Sequence, residues 1–295
     1  MNAVFSLSTI SKDARQNLLY GNASLKITYI LFTLSVLQAK KYFNKVILET
    51  DDDGYDLLIN KLKLPFDEIN LTLNSLDKEF SEFWMLGKIA AYNNQKEPFI
   101  HLDLDYVIYS PFAKEYLNSE VFSENPEAGN YFNFVYLDKL VNLSNNLTVM
   151  PECFGKSNRA VCMGIIGFNN INICKEYCSD VYKLLFSEEN SNFIKSLEDK
   201  KNYCIIFEQY MLECYMKHID KTITYLNSSL DKTIAAKQGK CHYLTHKKDI
   251  KKESQFESII YSLYPESYSY ICSLLNEKPN NFLNKLTIDE ILNLY

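Results

Sequence analysis

Short apolar runs alternate with longer stretches of helical spacing through the first hundred residues of this chain. Residues 2–9 (NAVFSLST) read as a strand that ends in small polar side chains. In residues 24–43, Ile27, Ile30, Leu31, Leu34 and Leu37 recur every three or four positions, as on one face of a helix. Residues 45–50 (KVILET) form a continuous apolar strand, closed by Asp51-Asp52-Asp53-Gly54, a turn that can also cap the next helix. Residues 55–62 are helical up to Pro65, 66–73 extended, and 80–93 helical, carrying Trp84 and Lys88. Residues 98–108 are the next strand. The order strand–helix–strand predicts an α/β fold built on a parallel sheet covered on both faces.

The second half is less regular. Residues 114–158 mix Asn, Glu and Ser with aromatics and predict loops with one short helix. Residues 161–169 (VCMGIIGFN) form a strand with two glycines, followed by helices over 172–186 and 204–218. Residues 222–226 and 239–246 are strands, the second ending on His246. From residue 247 the chain turns basic and then helical to its end. One domain over 1–250, with a helical extension over 251–295 packed on it, accounts for this pattern.

Composition narrows the function. The chain has 295 residues, nearly half of them hydrophobic, and its net charge is −6. That balance excludes the basic face of a nucleic-acid binder. Eight cysteines without a CxxC pair read as reduced core thiols of a cytoplasmic protein, or of one peripheral to the inner face of a membrane. The most apolar run, residues 29–39, falls short of the ~20 residues a bilayer requires, so no transmembrane segment is expected.

One segment stands out chemically. Residues 98–111 (PFIHLDLDYVIYSP) place Asp103 and Asp105 on one face of an otherwise apolar strand. Two carboxylates there repel each other, and burying them unpaired is costly. A hard divalent cation, Mn²⁺ or Mg²⁺, satisfies both. Asp51-Asp52-Asp53 contains the same spacing, but in a glycine turn where solvated aspartates need no metal. His101 shares the face of Asp103 and Asp105, deeper in the strand, and reads as a hydrogen-bonded core histidine. Along residues 240–246, His242, Leu244 and His246 point one way. His246 closes that strand and precedes Lys247, Lys248, Lys251 and Lys252, a basic cluster suited to phosphate oxygens.

PFIHLDLDYVIYSPF resembles the DxD segment of GT-A-fold nucleotide-sugar glycosyltransferases. VCMGIIGFNN, Phe207-Glu208-Gln209 and the histidine with its lysines resemble the later segments of family-8-type members. The resemblance spans about residues 2–270. It departs from that pattern at Cys162-Met163, where Asn is usual, and in lacking a Gly between the histidine and the lysine.

The resemblance implies a GT-A fold, with a Rossmann-like, mixed, mostly parallel sheet flanked by helices and a helical C-terminal segment. It implies a hexosyltransferase-like enzyme that moves a sugar from a nucleoside-diphosphate sugar, UDP-linked, to a glycan, lipid or protein acceptor, with retained configuration. Asp103, Asp105 and His246 would hold the metal. Lys88, Lys248 and Lys251 would meet the donor, Thr9 and Asp51 would lie near the nucleoside, and Glu208 or Gln209 would face the reacting sugar. Two alternatives remain open at this level. One is a non-catalytic binding module on the same fold. The other is a haloacid-dehalogenase-type phosphohydrolase, whose DxDx[T/V] motif DLDYV also fits.

Overall fold

The computed structural model describes residues 1–10, 19–280 and 282–295. Seven strands form the main sheet: β1 (Asn2–Leu7), β2 (Val46–Thr50), β3 (Glu68–Asn70), β4 (Phe99–Leu102), β6 (Val121–Glu127), β7 (Ala160–Phe168) and β8 (Thr224–Tyr225). Their order is β3-β2-β1-β4-β7-β6-β8. β7 pairs antiparallel with both neighbours, and the other pairings are parallel. A separate two-stranded antiparallel sheet joins β5 (Tyr106–Ile108) to β9 (Lys240–His242). The fold is therefore α/β, with a mixed, mostly parallel sheet flanked by helices.

Alternate residues of the central strands feed two cores. On β1, Val4 faces the core shared with the Leu86–Asn94 and Ile171–Phe186 helices. Ala3 and Phe5 face the core built on the Leu25–Tyr42 helix. That helix is capped by Ser24, whose hydroxyl accepts the Ile27 N–H at 3.1 Å. The Glu253–Leu263 and Pro265–Leu274 helices pack against it. Lys26 ties them down through Glu253, Glu257 and Glu277. All eight cysteines are buried and unpaired.

Three expectations change. The strand expected over 98–108 is two strands in different sheets, because the chain turns at Asp103-Leu104-Asp105. The strand expected over 239–246 stops at His242, since its partner β5 begins only at Tyr106. The region expected to be loops contains β6, which pairs with β7 and β8 and leads into the Gly129–Val135 and Leu137–Asn146 helices. β6 (VFSENPE) lacks apolar alternation because Ser123, Glu124, Asn125 and Glu127 are buried polar residues with partners inside the protein.

Candidate functional site

β4 ends at the carboxyl edge of the parallel strands, where ligands of open α/β sheets are bound. There the Tyr106 N–H donates to the Asp103 carbonyl and the Asp103 N–H to the Gly164 carbonyl, both at 2.9 Å. The Leu104 side chain between the aspartates is buried in the core of the Leu25–Tyr42 helix, which anchors the turn. Ligand atoms of Asp103, Asp105 and His242 all lie within 4.8 Å of one another. Ligands on opposite sides of a hard cation, each about 2.0–2.6 Å from it, stand about 4.0–5.2 Å apart, so this spread is compatible with one ion.

His242 is held for that role. Its Nδ1 is 2.7 Å from Glu124 Oε2, and its Nε2 is 3.6 Å from Asp105 Oδ2. A carboxylate on the far nitrogen fixes the ring and its tautomer in histidine–metal sites. Gly164 makes room for the ring, since a Cβ on it would fall 2.3 Å from His242 Cε1. Burial would lower the His242 pKa, but Glu124 and Asp105 outweigh it and hold the imidazole well above its usual value. Burial would raise Glu124, yet the charge of His242, its hydrogen bond and Lys232 bring that carboxyl down to about 2. Glu124, Cys162 and His242 form a second trio of atoms within 4.8 Å. The Lys232 ammonium lies 2.9, 3.6 and 3.0 Å from them, so a lysine already supplies the positive charge there.

Lysines also balance the two aspartates. Lys247 Nζ lies 2.7 Å from Asp105 Oδ2. Burial pushes Asp105 up, but Lys247 and His242 overcome it and hold the carboxyl well below the usual carboxylate range. Lys88 Nζ lies 2.9 Å from Asp103, 2.8 Å from Glu208 and 3.1 Å from the Met163 carbonyl. Burial would lower Lys88, but the two carboxylates hold it above its ordinary value. Burial raises both Asp103 and Glu208; Lys88 opposes the shift in each, and it remains upward. Glu208 and Gln209 sit in a π-helical turn, Ile206–Tyr210, a local widening that recurs at functional sites. Glu208 is fully buried against Lys88 and Tyr92, while Gln209 accepts from the Tyr136 hydroxyl at 2.6 Å.

The structure thus gathers Asp103, Asp105, Lys88 and Glu208, as the sequence suggests. It places His242 beside the aspartates where His246 was expected. His246 begins a 3₁₀ turn, its ring stacked on Tyr295 at 5.1 Å, and it belongs to neither ligand trio. Lys248, in that same turn, and Lys251, in the next, are exposed, and it is Lys247 that reaches Asp105. His101 is buried, with Nε2 2.9 Å from the Ser6 hydroxyl. Thr9 donates to Asp51 through N–H and hydroxyl at 2.5 and 2.8 Å, and Asp51 caps the following helix by accepting the Gly54 N–H. Thr9 and Asp51 line a cleft of about 340 Å³ with Asp53 and Lys78. Ser6, Trp84, Lys88, Asp103, Asp105 and Lys247 line another of about 210 Å³. Sequence reasoning missed Glu124, Lys232 and Gly164 as functional residues. The local signal was slight: Glu124 stands between Ser123 and Asn125 in VFSENPE, and Gly164 is a glycine inside an apolar strand.

The chain belongs to a family of unknown function (DUF6734), whose pattern matches residues 1–274. A comparison with curated proteins finds no match. Among solved structures, the chain resembles mouse xyloside xylosyltransferase 1 in its apo form, at 8% identity and TM-score 0.36, over 77% of this chain and 86% of that one. It also resembles the galactosyltransferase LgtC in complex with donor and acceptor sugar analogs, at 10% identity and TM-score 0.34, over 77% and 73%. A third similar structure is the 4-diphosphocytidyl-2C-methyl-D-erythritol synthase of Anaerococcus prevotii DSM 20548, at 10% identity and TM-score 0.35, over 78% and 90%. These overlaps are loose, and the reading of function rests on the site itself. No helix among the described residues is long and apolar enough to cross a membrane.

Proposed function

We propose that this member of the DUF6734 family is a metal-dependent glycosyltransferase of GT-A type, moving a sugar from a nucleoside-diphosphate donor to a hydroxyl-bearing acceptor. The observation that carries this reading is the meeting of Asp103, Asp105 and His242 within 4.8 Å at the carboxyl edge of the sheet, with two lysines on the same aspartates. The donor set suits Mn²⁺: two hard carboxylate oxygens, and one imidazole nitrogen that favours Mn²⁺ over Mg²⁺. His242 takes the ligand role that the sequence assigned to His246.

When bound, a divalent cation would supply Lewis-acid neutralisation of the departing diphosphate. The chain's own groups do the rest. Asp103 and Asp105 would hold the cation, and Glu124 would keep the His242 ring oriented to join them. Lys247, now on Asp105, is free to turn to phosphate oxygens once a cation takes its place, and Lys248 and Lys251 extend that positive edge. Thr9 and Asp51 border the nucleoside. Lys88 orients Asp103 and flanks the reacting sugar, with buried Glu208 behind it as its counter-ion and Gln209 turned to Tyr136. Configuration is retained, with UDP as the nucleoside diphosphate. Asp105→Asn should fold normally yet lose over 100-fold in Mn²⁺-dependent turnover of UDP-sugars, on the order of 3 kcal/mol in the transition state. Unchanged turnover in that variant would remove the assignment.

A further inference from the structure

The cleft shared by Lys88 and the two aspartates is bordered by the chain's single tryptophan. Trp84 keeps 42% of its surface exposed, yet its ring is held. Nε1 donates to the Lys201 carbonyl at 3.2 Å, and the Lys88 ammonium lies 5.9 Å from the ring centroid. The ring also borders an adjoining groove with Phe80, Phe83 and Gly87. Gly87 lets this wall pack close to the end of β1, since a Cβ on it would fall 2.8 Å from the Ser8 Cβ. An exposed aromatic fixed in advance loses little freedom when a ligand stacks on it.

We propose that Trp84 is the stacking platform for the pyranose ring of the transferred sugar, an inference that rests on the function proposed above. A pyranose has an apolar C–H face and a rim of hydroxyls. Trp84 offers the flat apolar surface. Asp103, 29% exposed, and Lys88 offer hydrogen-bond partners beside it. Position selects the sugar over the base. Trp84 adjoins Asp103 through Lys88, where a ring attached to the diphosphate falls. Thr9 and Asp51, beside which the nucleoside is expected, line a different cleft that excludes Trp84.

A lone tryptophan makes the test direct. The full chain with Mn²⁺ is titrated with UDP, UDP-glucose, UDP-galactose and UDP-N-acetylglucosamine while indole emission is followed, and affinities are measured by calorimetry. At least one UDP-sugar should shift the emission beyond the change caused by UDP. Trp84→Ala should weaken that UDP-sugar at least tenfold while UDP stays within twofold. Trp84→Phe should recover most of the loss, and Trp84→Leu, apolar but without a ring, should not. The inference is overturned if UDP alone produces the whole emission change, or if Trp84→Leu binds the sugar nucleotide as the parent does. Equal weakening of UDP and UDP-sugar in Trp84→Ala would overturn it too, by reducing Trp84 to a support for Lys88. Failure of UDP with Mn²⁺ to bind the parent protein would instead fell the proposed function, and this inference with it.

Discussion

His242 sits between opposing demands. Its Nδ1 is held by Glu124 and its Nε2 faces Asp105, so truncating it removes the proposed nitrogen ligand and leaves Glu124 to Lys232 and Asp105 to Lys247. His242→Ala should weaken Mn²⁺-supported UDP binding by about 100-fold or more, the worth of one ligand at roughly 3 kcal/mol. His246→Ala, which loses a half-buried ring packed on Tyr295 and Tyr243 and outside both trios, should change that affinity less than about threefold. Calorimetry on the two variants side by side separates them. Equal losses would return His246 to the ligand set. Lys88 is a second balance point. It is the cation for fully buried Glu208, so Lys88→Met leaves an uncompensated charge and should cost about 3–5 kcal/mol in urea unfolding. Adding Glu208→Gln should restore most of that, and no recovery would mean Lys88 contributes by packing alone.

At the scale of elements, β7 joins the two halves of the site. Its Gly164 carbonyl takes the Asp103 N–H, and its missing side chain gives the His242 ring its place. Gly164→Ala puts a methyl group against a buried imidazole that has little room to move. The expected cost is about 1–3 kcal/mol of stability from overpacking, with a loss of Mn²⁺ affinity larger than the stability change alone explains. A variant with parent-like metal affinity would show that His242 is not seated as described. The glycine was visible in VCMGIIGFN, but its partner was not, because no local pattern reveals which side chain lies across a sheet. Period-two alternation along residues 240–246 put His242 and His246 on one face. It could not tell which of them met the aspartates, since that depends on where β5 begins. β6 was invisible for a related reason. Its buried Ser123, Glu124 and Asn125 break the apolar alternation that marks a strand, and they do so because Glu124 serves His242. The Leu25–Tyr42 helix and β1 and β2 were legible, and β4 in its presence though not its end, since apolar burial dominates their sequence.

At the scale of the molecule, the sheet gathers residues from distant parts of the chain at one edge. The turn between β4 and β5 supplies the aspartates, β9 the histidine, β6 its glutamate, and the Leu86–Asn94 helix the lysine that faces Glu208. Lys88 and Lys247 pair with the aspartates, so the fold is expected to stand without metal. Chelation should therefore leave thermal unfolding in place and remove only the stabilisation that a bound nucleotide adds, about 2.7 kcal/mol at 100 times its dissociation constant. A chain that unfolds on chelation would make the cation a structural one. The central claim is that Asp103, Asp105 and His242 join a cation to a diphosphate, and titrating UDP into the protein by calorimetry, first with Mn²⁺ and then with EDTA, tests it most directly. The account predicts binding with Mn²⁺ that falls at least 100-fold with EDTA, and a matching loss with Mn²⁺ in Asp105→Asn. Equal UDP affinity in Mn²⁺ and in EDTA would contradict it.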